Sequence, residues 1–141
     1  MNTKRKGSAK ERELANYLWE RGCAVLRGCS SGGGVRKRYV PDLVVICRGT
    51  VLVFEVKYRS KHTSIKIETE KLERLIEFAK RAGGKALLLI KYGRNPWKVL
   101  EIRDRVGRDE YEKAMDLRTF IESLFTAKLE DFIIKRDNER L

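Results

Sequence analysis

Two β-branched apolar runs, Leu43 to Cys47 and Val51 to Val56, are separated only by Arg48-Gly49-Thr50. So short a connection forces antiparallel pairing, and runs without polar alternation belong to central strands covered on both faces. If Arg48-Gly49 is the loop, Asp42 stands directly opposite Glu55. A four-residue loop from Cys47 to Thr50 keeps that register, whereas a three-residue loop sets Val56 against Asp42 and separates the faces. Opposed residues of an antiparallel pair have Cβ atoms about 4.5 to 5.5 Å apart, close enough for two carboxylates to share one divalent ion. Lys57, two residues beyond Glu55, falls on the same face of its strand. Like charges in opposition destabilise a bare hairpin, so the pattern calls for a cation.

The remaining elements arrange themselves around this hairpin. Ser8 with Glu11 reads as a capping box, and Leu14, Ala15, Leu18 and Trp19 follow at helical spacing, predicting a helix from Ser8 to Arg21. Cys23 to Arg27 is a short strand. Residues 28–39 read as a mobile loop carrying Ser30-Ser31-Gly32-Gly33-Gly34 and Arg36-Lys37-Arg38, and residues 58–67 as a polar loop. Leu72, Leu75, Ile76 and Ala79 form the stripe of a second helix over Glu68 to Ala82, ended by Gly83-Gly84. Lys85 to Lys91 and Trp97 to Ile102 are two further strands, and 103–114 is charged loop or extra turns. Asp116 caps a last helix through Leu117, Phe120, Ile121 and Leu124, before an amphipathic tail over 126–141. With no repeat and no linker, the order α-β-(ββ)-α-β-β-α gives a single α/β domain with a mixed central β-sheet. Trp19 and Trp97 are assigned to its core.

Thirty-two Lys and Arg against 20 Asp and Glu give the 141 residues a net charge of +12. That excess favours a polyanionic partner, nucleic acid first and an anionic membrane surface second. The longest apolar stretches, such as Ala86 to Ile90, are far short of the roughly 20 residues a membrane-spanning helix needs. The basic start, Met1 to Gly7, is followed by no apolar segment, so no secretory signal and a cytoplasmic location are expected. Cys23, Cys29 and Cys47 make an odd set without a C-x-x-C pair beside one histidine, which argues against a disulfide framework and a Cys/His zinc site. Cys23 and Cys47 read as small core residues.

Hard oxygen ligands without soft ones point to Mg²⁺ or Mn²⁺. Such an ion acidifies a bound water and polarises a phosphoryl oxygen, while Lys57 can orient the water or stabilise developing charge. The chemistry indicated is phosphodiester hydrolysis. The competing reading of Asp42, Glu55 and Lys57 is a solvated strand end. Glu11 has a structural alternative as the helix cap, and the glycine loop lacks a P-loop pattern. Lys4-Arg5-Lys6 is either a solvated arm or a set of phosphate contacts, and Arg59, Lys61 and His62 stand similarly. His62 has no acid partner in view and no catalytic assignment.

Pro41-Asp42 followed by Glu55-Val56-Lys57 matches the PD-(D/E)-x-K nuclease signature. Arg5-Lys6-Gly7-Ser8-Ala9-Lys10-Glu11-Arg12, the Ser31-Gly32 loop and the helix end Phe78-Ala79-Lys80-Arg81-Ala82-Gly83-Gly84 extend the likeness over roughly residues 4–90, and there the chain resembles the archaeal Holliday junction resolvases. The stretch from Val99 to Lys113 finds no counterpart. The resemblance implies a restriction-endonuclease-like fold and a Mg²⁺-dependent homodimer, with Mn²⁺ able to substitute. Such a dimer binds four-way DNA junctions by shape and nicks two opposed strands, in the cytoplasm beside the nucleoid. It further implies Glu11, Asp42 and Glu55 as metal-site acids, Val56 as a carbonyl ligand, Lys57 as the catalytic lysine and Ser31 near the scissile phosphate. Which of Ser30 and Ser31 acts stays open. Arg12 is implied near DNA, joining Lys4, Arg5, Lys6, Ser30, Arg36, Lys37, Arg38, Arg59 and Lys61. Phe132, Ile133 and Ile134 suggest a dimer contact. The alternatives are a less selective nuclease of other branched or single-stranded DNA, and a non-catalytic architectural DNA-binding protein.

Overall fold

A computed structural model describes residues 3–28 and 39–126. In chain order the elements are α1 (Thr3–Glu20), β1 (Ala24–Arg27), β2 (Leu43–Cys47), β3 (Thr50–Arg59), β4 (Ile65–Lys66), α2 (Thr69–Ala82) and β5 (Lys85–Tyr92). There follow β6 (Lys98–Glu101), β7 (Arg105–Val106), α3 (Arg108–Lys113) and β8 (Met115–Asp116), then a helix over 117–126, here α4. Six strands form one sheet in the order β1-β2-β3-β5-β6-β8, and β4 pairs with β7 beside it. Among the described strands only β3 and β5 run parallel. Parallel neighbours need a crossover, and α2 supplies it.

The sheet is mixed and flanked by helices, as the alternation of patterns predicts. On one face Leu14 and Leu18 of α1, with Leu117 and Ile121 of α4, pack on Leu43, Val45, Leu52 and Phe54. On the other, Leu75 and Ala79 of α2 pack on Val53, and Ile65, Leu88, Ile90, Tyr92, Val106 and Tyr111 extend that layer. Leu52, Val53 and Phe54 are fully buried. At roughly 1.5 to 3 kcal/mol for each such side chain, they anchor β3 firmly enough to carry its next residue, Glu55, into the interior. Gly83 ends α2 in the left-handed region, φ 67°, with its N–H returned to the Lys80 carbonyl, the role its position after the apolar stripe assigns it.

Several expectations are corrected. The first helix begins at Thr3, so Lys4 to Gly7 continue its backbone, and Ser8 and Glu11 lie within it rather than forming a capping box. Trp19 is 67% exposed, because α1 already buries Leu14, Ala15 and Leu18 and the next residue is turned about 100° off that line. Trp97 does pack against the core. The 58–67 segment is not all loop, since β3 runs to Arg59 and Ile65 is buried in β4. The charged 103–114 stretch holds β7 and α3, whose Val106 and Tyr111 are buried. Asp116 ends β8 and stands immediately before α4, the position expected of its cap. Finally, Cys23 and Cys47 form a disulfide. The β1–β2 register pairs Ala24 with Ile46, and one further step sets the two cysteines face to face with Cα atoms 4.4 Å apart, within bridging reach. An odd cysteine count says nothing against a pair that the strands align.

Candidate active site

The hairpin closes through Arg48 at φ 49° and Gly49 at φ 84°. Two consecutive left-handed residues make the type I′ turn whose twist suits a two-residue loop. Pairing runs from Cys47 opposite Thr50 to Leu43 opposite Phe54, so the next position sets Asp42 against Glu55, the register expected. The β1 side fixes Asp42 as well, because Gly28 N–H donates to its carbonyl oxygen at 2.8 Å. Across the hairpin, Val56 N–H donates to Asp42 Oδ2 at 2.8 Å.

Glu55 is the one buried charged residue among those described, 1% exposed. Lys57 Nζ lies 3.1 Å and Lys71 Nζ 2.7 Å from its Oε1. Both are ion pairs whose angles fall outside hydrogen-bond range, so Oε1 has no aligned donor among the described residues. Tyr39 Oη donates to Oε2 at 3.5 Å, a long contact. Asp42 is pushed up to about 7, first by burial and then by the Glu55 charge, against the Val56 N–H and Lys71. Burial, then the Arg27 and Glu55 charges pulling in opposite directions, leaves Glu11 above the ordinary carboxylate value. Burial disfavours the Lys71 ammonium, yet Glu55, Asp42 and Glu68 hold its pKa above the usual lysine value. Burial and the charges of Glu55 and Asp42 likewise raise Tyr39. Glu11, Asp42 and Tyr39 thus resist losing a proton and Lys71 resists giving one up, as burial and crowded negative charge dictate.

The strand geometry therefore brings Asp42, Glu55, Val56 and Lys57 together. Glu11 sits on α1 with its carboxylate 3.8 Å from Arg27 Nε, and it borders a groove of about 480 Å³ with Gly7, Val56, Lys57, Tyr58, Arg59 and Ser60. Among the described residues no three of His, Cys, Asp and Glu cluster as a metal group, so Asp42 and Glu55 stand as a pair. Arg12, Arg59 and Lys61 are exposed, and Arg59 donates to the Tyr58 carbonyl at 2.8 Å. Lys4, Arg5 and Lys6 lie in the first turns of α1. Ser30, Ser31, Arg36, Lys37 and Arg38 fall outside the described residues, as do Phe132, Ile133 and Ile134. His62 stacks on Tyr92 at a centroid distance of 4.2 Å and, contrary to expectation, has an acid within 3.8 Å, Glu112.

Three residues of the site escaped the pattern reading: Lys71, Tyr39 and Arg27, the last donating from Nη2 to the Ser8 carbonyl at 3.3 Å. A signal for Lys71 existed. It stands four and eight residues before Leu75 and Ala79, on the buried line of α2, and a charge on a core-facing line is an anomaly that asks for a partner.

Residues 2–133 match the sequence profile of the archaeal Holliday junction resolvase (Hjc) family. The crossover junction endodeoxyribonuclease Hjc of Sulfurisphaera tokodaii is 40% identical over 90 residues, 64% of this chain and 62% of its own. That of Methanocaldococcus jannaschii is 43% identical over 88 residues, 62% of this chain and 60% of its own. The aligned part of the chain thus spans about three fifths of these curated relatives. The structure of Archaeoglobus fulgidus Hjc, a Holliday junction resolvase, superimposes with a TM-score of 0.72 over 83% of this chain and 98% of the other, at 24% identity, a likeness of fold. With the profile matched over residues 2–133, the chain belongs to the archaeal Holliday junction resolvase family.

Proposed function

We propose that the protein is a divalent-metal-dependent endodeoxyribonuclease that resolves four-way DNA junctions by paired symmetric nicks in opposed strands, acting as a homodimer. The observation that carries it is the like-charged pair of half-buried Asp42 and buried Glu55 at the open end of the β2–β3 hairpin, with the Lys57 ammonium 3.1 Å from Glu55 Oε1. Such a pair is costly to bury and has no structural return, because the ladder ends one residue earlier.

The donor set fits a hard divalent cation. Its oxygens repel one another, Glu55 Oε1 has no aligned donor among the described residues, and two carboxylates completed by substrate phosphate are a common Mg²⁺ arrangement. Asp42, Glu55 and the Val56 carbonyl would hold Mg²⁺ or Mn²⁺, with Glu11 as a further acid at the groove; once bound, the ion supplies Lewis acidity toward water and phosphoryl oxygen. The protein's own part is positioning. Val56 N–H fixes the Asp42 carboxylate, and the ion pair with Glu55 aims the Lys57 ammonium at the mouth, where it can stabilise charge gathering on the scissile phosphate. Arg59 lines the groove beside that mouth, and Arg12, Lys61 and Lys4 to Lys6 are assigned to neighbouring phosphates, as the +12 charge suits. Ser31, with Ser30, is assigned to the scissile phosphate by resemblance alone. The face of β1 and β2 turned away from α1 carries exposed Leu26 and Ile46, apolar surface fit for a second copy. Among the described residues no helix is long and apolar enough to cross a membrane.

Cleavage of an end-labelled immobile four-way junction and its linear duplex, with Mg²⁺ or EDTA, tests the reading on a denaturing gel. Symmetric nicks in opposed strands of the junction, only with metal, are expected. Equal cutting of the duplex overturns the junction assignment, and binding without nicks overturns the enzyme.

A further inference from the structure

The motif accounts for one lysine at Glu55, yet the structure holds two. Lys57 reaches Oε1 along its own strand, and Lys71 arrives from the first turn of α2 on the line of Leu75 and Ala79. Both ammonium groups lie within ion-pair distance of the one oxygen, at 3.1 and 2.7 Å. Lys71 is also the lysine whose charge acts on Glu11 and Asp42 as well as Glu55. Its ammonium, 2.7 Å from Glu55 Oε1, occupies an approach to an oxygen assigned above to the divalent ion. The two lysines differ in freedom: the Lys71 side chain is 39% exposed and that of Lys57 19%. A cation arriving at Oε1 must displace one of them, and Lys71 has the open path to solvent.

We propose that Lys71 is a displaceable internal cation, which neutralises Glu55 in the metal-free protein and competes with the divalent ion for the same oxygen. The proposal rests on the metal-site reading given above. Lys71 is on this account a positioning residue: it holds the Glu55 carboxylate in place while the site is empty, and its release frees an ammonium at the mouth where phosphate approaches. Removing it strengthens metal binding, the reverse of what loss of a supporting residue does.

The test is Mn²⁺ titration by calorimetry on DNA-free protein, comparing wild type, Lys71→Gln and Lys71→Arg. Lys71→Gln should bind Mn²⁺ about tenfold more tightly, the equivalent of one contact to a charged group no longer broken in exchange. Lys71→Arg, which keeps the charge, should stay near wild type. Lys71→Gln should also melt lower in EDTA and gain more from Mn²⁺. In the wild-type protein, the Lys71 side-chain NMR signal should narrow and shift on adding Mg²⁺. Equal or weaker Mn²⁺ affinity in a folded Lys71→Gln protein, or a Lys71 signal indifferent to saturating Mg²⁺, overturns the competition and leaves the metal site standing. A wild-type protein that binds no Mn²⁺ overturns the metal site itself.

Discussion

The two ends of β2 are built on opposite principles. At the turn end, Cys47 is buried, covalently joined to Cys23 and surrounded by Leu18 and Leu52, with the tight Arg48-Gly49 loop beyond it. At the other end, past four residues of alternating burial, half-buried Asp42 stands opposite buried Glu55, with Lys57 and Lys71 upon the latter. One end is apolar and cross-linked, and the other is charged and short of cations. The same two registers make both, since each ladder that aligns the cysteines or closes the turn also delivers Gly28 and Glu55 to Asp42. A rigid uncharged end thus holds in place an end that would otherwise spring apart, and substitutions should separate stability from chemistry according to the end they touch.

The largest effect belongs to the charged end. Asp42→Asn and Glu55→Gln should each lower junction nicking on the order of 10³-fold, comparable with loss of a principal transition-state contact, while gel-shift binding of the junction persists in EDTA. Asp42→Asn should not lower the melting temperature, because it relieves a repulsion, whereas Glu55→Gln leaves the Lys57 and Lys71 ammonium groups without their carboxylate and should lower it. A severe loss of stability in Asp42→Asn would show that this end is structural after all. The turn end should behave in reverse. The disulfide spans 24 positions of chain, so Cys47→Ser or full reduction should cost about 3 kcal/mol in chemical denaturation, with the nicking rate of the folded protein unchanged.

Between the ends lies Gly28. A Cβ there would overlap the Pro41 carbonyl oxygen, so the close approach of β1 that lets Gly28 N–H reach the Asp42 carbonyl requires glycine. Gly28→Ala should cost about 2 kcal/mol by overpacking and also reduce nicking, because the displaced backbone carries Asp42. Full nicking in a destabilised Gly28→Ala protein would mean that the β1 contact does not help to set the site.

Where apolar periodicity speaks, the fold was legible. Leu43 to Cys47 and the two-residue turn stand as the pattern places them, and the Asp42–Glu55 opposition followed from the turn alone. Three kinds of feature were not. A terminus is poorly marked when the chain upstream is also helix-compatible, so the plausible Ser8–Glu11 cap misplaced the start of α1. Two-residue strands such as β4 and β7 carry too few residues to show a period. Contacts between distant segments have no local sign, which hid the Cys23–Cys47 bridge and the approach of Tyr39 and Arg27. Lys71 falls between these cases: its place on the Leu75 and Ala79 line was visible, but only the packing of α2 on β3 shows that the buried partner is Glu55.

The smallest effect sharpens the account of the charged end most. Asp42 has its pKa raised to about 7 from the usual 3.8, so ionising it costs more in the folded protein than in the unfolded chain. Its contribution to stability is therefore fullest below 3.8, is lost as pH climbs through about 7, and levels off above that. Titrations common to wild type and Asp42→Asn cancel in the difference between the two proteins. The difference in unfolding free energy between the two proteins, measured in EDTA from about pH 6 to 8, isolates Asp42 and should move against wild type by about 1 kcal/mol across that window. Saturating Mg²⁺ should flatten the difference, because a divalent charge beside the carboxylate favours its ionised form. A difference that instead grew in favour of wild type with rising pH would mean that the Val56 N–H and Lys71 already outweigh burial and Glu55. The charged end would then be as well satisfied as the cross-linked one, and the site would have no need of a metal ion to complete it.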